Sequence, residues 1–72
     1  MQPNLKDLRK ELKVKQEVIA AQMRVSDSSV SKLEGKEIKQ LSVTKLAAYV
    51  EALGGHVELS LVLPNGERLN VE

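Results

Sequence analysis

Residues 16–35, QEVIAAQMRVSDSSVSKLEG, hold this chain to a narrow choice: two short helices joined by a tight turn, the second with a polar face left over. Val18, Ile19 and Met23 give the first segment an apolar side, Ala20 and Ala21 are small enough to let another helix approach closely, and no residue in it breaks a helix. The second segment begins at Ser26, whose hydroxyl suits an N-cap, and Asp27 follows at the positive end of the helix dipole. At about 100° per residue, Val30 and Leu33 point one way and Ser28, Ser31 and Lys32 the other. A face of short, hydrogen-bonding side chains, in place of the long Glu and Lys pairs of a merely solvated helix, fits a surface that approaches something closely.

The flanking segments complete a small, mainly helical body. After Pro3, Asn4 is placed to cap a helix from Leu5 to about Lys13, with Leu5, Leu8 and Leu12 on its inner side. Arg9 borders that apolar stripe, and Glu34 borders Val30 and Leu33 in the same way. The two are expected to pair, because a partly buried charge left alone is costly. Ser42 caps a further helix whose apolar side is Val43, Leu46, Tyr49, Val50 and Leu53, and Gly54 ends it in the left-handed conformation that glycine permits. After Gly55 the period changes to two: Val57, Leu59, Leu61 and Leu63 alternate with His56, Glu58 and Ser60, as in a strand with one buried face. Pro64, Asn65 and Gly66 supply a turn, and the alternation resumes through Leu69 and Val71. A lone two-stranded hairpin is marginal in water, so its leucine face and open edges need the helical body or a second copy of the chain. The expected fold is mainly α, four helices with a C-terminal β-hairpin. Residues 1–55 form the helical domain and 56–72 a dimerisation element.

Length points the same way. A chain of 72 residues makes one domain that buries only about 60% of its unfolded surface. It has no cysteine, a single aromatic residue in Tyr49 and no metal-ligand spacing, which leaves oligomerisation as the source of extra stability. No signal segment, membrane-length apolar run or internal repeat is present, and the expected location is the cytoplasm. The net charge of +1 is unevenly divided: residues 1–45 hold ten Lys or Arg against six Asp or Glu, giving +4, and residues 46–72 hold one against four, giving −3. Lys6, Lys10 and Lys13 fall on one side of the first helix, while Lys15, Lys32, Lys36 and Lys39 lie around the helix pair and the loop after it. This distribution fits phosphate contact, although a lysine stripe alone equally suits a solvated face. Two helices, a tight turn and a polar outward face in the basic half together describe a chain that reads DNA. Nothing supports catalysis: the acids are scattered, no glycine-rich phosphate loop occurs, and His56 has no partner constellation in sequence.

The order Gln16, Ile19-Ala20, Val25-Ser26, Val30-Ser31, Leu33-Glu34-Gly35, and then Leu46 and Ala52-Leu53-Gly54, resembles the lambda-repressor/Cro (Xre) helix-turn-helix family over about Leu5 to Gly54. The ending, EALGG followed directly by an alternating strand, is similar to HipB-like and HigA-like antitoxins that repress their own operons, in which short C-terminal strands help to build the dimer. The resemblance implies an autoregulating antitoxin of a toxin–antitoxin operon, with a palindromic duplex operator, a second copy of the chain and a cognate toxin as partners, and with no cofactor, metal or membrane. It implies that Asp27, Ser28 and Lys32 read bases and that Ser29 touches the DNA backbone. The charge distribution, not the resemblance, adds Lys36 and Lys39 as phosphate contacts; the resemblance implies that Gln16 binds a phosphate or orients the next helix. It also implies a structural ion pair between Arg9 and Glu34, and dimerisation through Val57, Leu59, Leu61 and Leu63. Two other readings stay open: a stand-alone phage- or plasmid-type repressor, and a protein-binding antitoxin for which DNA is secondary and toxin contact uses the folded surface. The chain departs from the family twice. Asp27 stands where Gln is usual, and a carboxylate can accept from cytosine N4 but cannot donate to a purine. Arg24 replaces a frequent turn glycine, which leaves the turn geometry open.

Overall fold

The computed structural model describes residues 4–71; residues 1–3 and 72, including Pro3 and the outer ends of both expected segments, lie outside the described residues. Four α-helices, α1 (Leu5–Glu11), α2 (Gln16–Met23), α3 (Asp27–Glu34) and α4 (Val43–Ala52), are followed by strands β1 (Ser60–Val62) and β2 (Arg68–Asn70). A short 3-10 helix, Ile38–Gln40, sits in the loop between α3 and α4.

Three helix starts are fixed by side chains. Asn4 accepts from the Asp7 amide at 2.8 Å, Ser26 from the Ser29 amide at 3.2 Å and Ser42 from the Lys45 amide at 3.2 Å, each satisfying a backbone donor that the helix leaves unpaired. The ends share one device. In α1, α2 and α4 the chain turns through a left-handed residue, Lys13 (φ 59°), Arg24 (φ 59°) and Gly54 (φ 94°) respectively. In each case the next amide reaches back five residues: Val14 to Arg9, Val25 to Ala20, and Gly55 to Val50, at 3.0 to 3.1 Å. This is the Schellman closure, in which glycine is the usual left-handed residue. Here two of the three positions are cationic, and a positive charge suits the negative end of a helix dipole.

The core is small. Leu5, Ile19, Ala20, Val30, Leu33 and Tyr49 are buried, with Leu8, Val14, Met23, Leu46 and Leu53 half-buried around them. Several inward expectations are corrected. Because α1 ends at Glu11 and not near Lys13, Leu12 caps it beyond the core face and is exposed. On α2 it is Ile19 and Ala20 that are buried, while Val18 is exposed and Met23 half-buried; in α4, Val43 in the first turn is exposed.

The C-terminal strands pair within the chain as an antiparallel hairpin with register Ser60↔Asn70, Leu61↔Leu69 and Val62↔Arg68. Bonds from Val71 N to Leu59 O and from Leu63 N to Glu67 O, both 2.8 Å, extend the ladder at each end. Gly66 closes the turn at φ 89°, its amide donating to Leu63 O. The expected strand over residues 56–63 is shorter than the alternation suggests: regular strand is confined to Ser60–Val62, and residues 56–58 make no ladder bond among the described residues. Nor is its leucine face buried: Leu61, Leu63, Leu69 and Val71 are all exposed in the single chain. The molecule measures 44 × 26 × 19 Å, an elongation that reflects a hairpin standing away from the helices.

Candidate nucleic-acid interface

The site begins from a buried knot of charge. Arg9 on α1 and Glu34 at the last turn of α3 are both buried, and Arg9 Nε donates to Glu34 Oε2 at 2.6 Å while Nη2 lies 3.4 Å from Oε1. Arg9 Nη1 also donates to the Val14 carbonyl at 2.9 Å. Tyr49 on α4 adds its hydroxyl to Glu34 Oε2, and Gln16 at the start of α2 adds its amide to Oε1 at 3.3 Å. Among the described residues no buried side-chain nitrogen or oxygen lacks a partner. Burial alone pushes the Glu34 carboxyl up, but hydrogen bonds from Arg9, Tyr49 and Gln16 outweigh it and hold the group below the usual carboxylate range. The hydrogen bond to Glu34 raises the Arg9 guanidinium against the opposing effect of burial. Burial, followed by the hydrogen bond to Glu34, holds the Tyr49 hydroxyl well above the ordinary phenol range. Four helices are thereby tied at one point under the C-terminal end of α3.

That knot sets the pose of the outward face of α3. Asp27, Ser28, Ser29, Ser31 and Lys32 are all exposed. Ser29 Oγ lies 3.0 Å from Ser26 Oγ, so its hydroxyl takes part in the cap. Ser31 Oγ accepts from Gln16 Nε2 at 2.8 Å. Arg24, the open point of the turn, takes the left-handed conformation (φ 59°, ψ 45°) that a glycine would take, so the departure in sequence leaves the turn between α2 and α3 intact.

Two shallow grooves flank α3. One, between the starts of α1 and α2 and the end of α3, is lined by Lys6, Gln16, Ser31 and Lys36 together with Glu34 and Glu37. The other is lined by Ser29, Lys32, Leu33, Lys36 and Lys45. Lys36 borders both grooves, whereas Lys39 lines neither and makes an exposed ion pair with Glu37 at 3.6 Å. Lys10 and Lys13 are likewise absent from both linings. Sequence reasoning missed Lys45, the third residue of α4, whose place beside α3 depends on how the α3–α4 loop folds. It also missed the Tyr49 hydroxyl, which periodicity marks only as an apolar position. Val57, Leu59, Leu61 and Leu63 lie on the hairpin and its approach; the first two are half-buried and the others exposed. No group of His, Cys, Asp and Glu among the described residues is arranged to hold a metal ion, and no described helix is long and apolar enough to cross a membrane.

The model of a helix-turn-helix domain family matches residues 2–61. A protein of Mycobacterium tuberculosis strain H37Rv, named as antitoxin HigA3, is 43% identical over 56 residues, which is 76% of this chain and 51% of that one. The chain thus spans about half the length of that curated relative. Among solved structures, a DNA-bound antitoxin HigA3 superposes with a TM-score of 0.86 at 33% identity, over 100% of this chain and 92% of that one. A HigA antitoxin described for DNA bending induced by its dimerisation superposes with a TM-score of 0.81 at 33% identity, over 99% and 93% of the two chains.

Proposed function

The chain belongs to the helix-turn-helix family of HigA-type antitoxins, and from that premise we propose that it is a homodimeric DNA-binding repressor that autoregulates a toxin–antitoxin operon. The observation that carries this reading is the whole-chain similarity to a DNA-bound antitoxin, taken with an α3 face that is exposed, polar and bordered by Lys32, Lys36 and Lys45. In this reading Asp27, Ser28 and Lys32 meet base edges in the major groove, while Ser29, Lys36 and Lys39 meet the backbone. The function is one of binding and involves no chemical step, and its place is the cytoplasm, on the nucleoid when DNA is bound.

Residues 56–72 serve as the dimerisation element in the same reading. Leu61 and Leu69 stand opposite one another on the hairpin and are exposed in the single chain, as are Leu63 and Val71. A two-stranded sheet with an open apolar face is a surface that a second copy covers. Val57 and Leu59 continue that face toward the body. A dimer built this way sets two copies of α3 for successive major grooves about 34 Å apart on a palindromic operator.

The test has two parts. Duplex DNA from upstream of the chain's own gene is titrated at two salt concentrations, and the protein encoded next to it is co-expressed and tested for co-purification. Binding that prefers the upstream duplex and falls steeply with salt, together with a stable complex, supports the proposal. Equal binding to any duplex removes the specific repressor, and specific binding without a complex leaves a stand-alone repressor.

A further inference from the structure

Glu34, Gln16 and Ser31 form a hydrogen-bond chain that runs from the buried knot to the outward face of α3. Glu34 Oε1 accepts from Gln16 Nε2 at 3.3 Å, and the same nitrogen donates to Ser31 Oγ at 2.8 Å. An ionised carboxylate only accepts, so Glu34 decides which end of the Gln16 amide faces it: the NH2 end, since the carbonyl would set oxygen against oxygen. Both hydrogens of that NH2 group are then used inside the protein, one on Glu34 and one on Ser31. What the Gln16 side chain has left is a carbonyl acceptor, which cannot donate to a phosphate.

The direction of the chain has a consequence at Ser31. Its oxygen takes the hydrogen of Gln16, so its own O–H is left to donate, and among the described residues no protein acceptor takes it. The residue is exposed, one position before Lys32 and three after Ser28. Ser29 differs, because its hydroxyl is shared with Ser26 at 3.0 Å.

We propose that Ser31 is a DNA-contacting residue of α3, a hydroxyl donor oriented by the Glu34–Gln16 relay, and that it recognises a hydrogen-bond acceptor of the duplex. The acceptor is a phosphate oxygen or an acceptor on a base edge, such as guanine O6 or N7, adenine N7 or thymine O4. Gln16 is thereby a positioning residue. The inference rests on the DNA-binding reading above.

The experiment uses the duplex that the native chain selects from a random pool, alongside a scrambled duplex, in anisotropy titrations. Ser31→Ala is expected to weaken binding about three- to tenfold per half-site, the worth of one hydrogen bond, while Ser31→Thr retains affinity because it retains the hydroxyl. A loss confined to the selected duplex identifies a base edge; an equal loss on both identifies a phosphate. In a Gln16→Ala background the effect of Ser31→Ala is expected to shrink, because the relay is already broken. Thermal melts of Ser31→Ala should match the native chain, since the residue is exposed. Native binding by Ser31→Ala, or additive effects of the two substitutions, overturns the proposal and leaves the repressor reading standing. A native chain that retains no duplex overturns both.

Discussion

The Tyr49 hydroxyl lies 2.5 Å from Glu34 Oε2, the oxygen that also receives Arg9 Nε at 2.6 Å. A single carboxylate oxygen therefore joins α1, α3 and α4. Tyr49 is fully buried, and its hydroxyl also approaches the Leu5 carbonyl at 3.3 Å. In so small a core, the position of α3 depends on polar geometry as much as on apolar packing.

Removing one member of the ion pair leaves the other charged and buried. Arg9→Ala or Glu34→Ala is expected to cost about 3 to 5 kcal/mol, a large share of the stability of a small domain. The double substitution should cost less than the sum, because neither charge is then stranded. Urea melts of the four chains form the cycle; simple additivity would show that the two side chains do not interact in solution.

Tyr49→Phe removes one hydrogen bond to a charged group, worth about 1.5 to 3 kcal/mol, without opening a cavity. It should also change the pH profile. Because the folded hydroxyl is held above its ordinary value of 10.0, its contribution is complete below pH 10.0 and is lost as pH rises beyond it. Glu34 behaves oppositely: its carboxyl is held below 4.5, so its contribution is complete above that pH and is lost on acidification. Melting curves across pH should therefore fall at both ends, and the Phe variant should lose part of the alkaline fall. An unchanged alkaline limb would assign that fall to other groups.

Arg24 holds a left-handed backbone at φ 59°, which costs a non-glycine residue of order 1 kcal/mol or more. Arg24→Gly relieves that strain but gives the unfolded chain more freedom, worth about 0.5 to 1 kcal/mol, and gives up a cation at a helix end. These effects oppose one another, so the net expectation is a change within about 1 kcal/mol of the native chain, and Arg24→Val should be less stable than either. Denaturant midpoints decide it. A clear loss in the Gly variant would mean that the arginine side chain makes a stabilising contact of its own.

Leu61 pairs with Leu69 across the hairpin, and both are about half exposed in the single chain, at 48% and 56%. In a monomer, Leu61→Asp would change stability by about 0.5 kcal/mol or less, as exposed substitutions do. At a dimer interface it should shift the chain to monomer in light scattering and abolish the concentration dependence of melting. A Leu61→Asp chain that remains dimeric places the interface elsewhere.

How much of this was legible in the sequence depended on the kind of information each residue carries. Ser26, Asn4 and Ser42 announce their helices because a cap acts within three residues, and Val30 and Leu33 announce their face because the helical period is local. Arg9 and Glu34 were readable as partners because each borders an apolar stripe, although 25 positions separate them. Leu12 was misplaced inward because periodicity gives a side and not an end: α1 stops at Glu11, Leu12 is its cap, and the chain turns at Lys13. On α2 the periodicity left the centre of the buried side open, and it falls on Ile19 and Ala20 with Val18 outside it. The roles of Gln16 and Ser31 were hidden for another reason. Their hydrogen bond spans two helices, and its direction is set by a carboxylate on the second one.

Lys32 and Lys36 separate reading from positioning. Lys32 lies on the outward face of α3, beside the polar side chains proposed to meet bases, whereas Lys36 lies beyond the helix where it borders both grooves. Lys32→Ala is expected to cost about 1 to 3 kcal/mol on the cognate operator and to relax the preference for one base pair. Lys36→Ala should weaken cognate and scrambled duplexes equally and reduce the salt slope by about one, because a lysine that neutralises one phosphate releases about one counterion. Titration of each variant against both duplexes at two salt concentrations distinguishes them. If Lys32→Ala loses cognate and scrambled binding in the same proportion, Lys32 is a phosphate contact, and base reading falls to Asp27, Ser28 and Ser31.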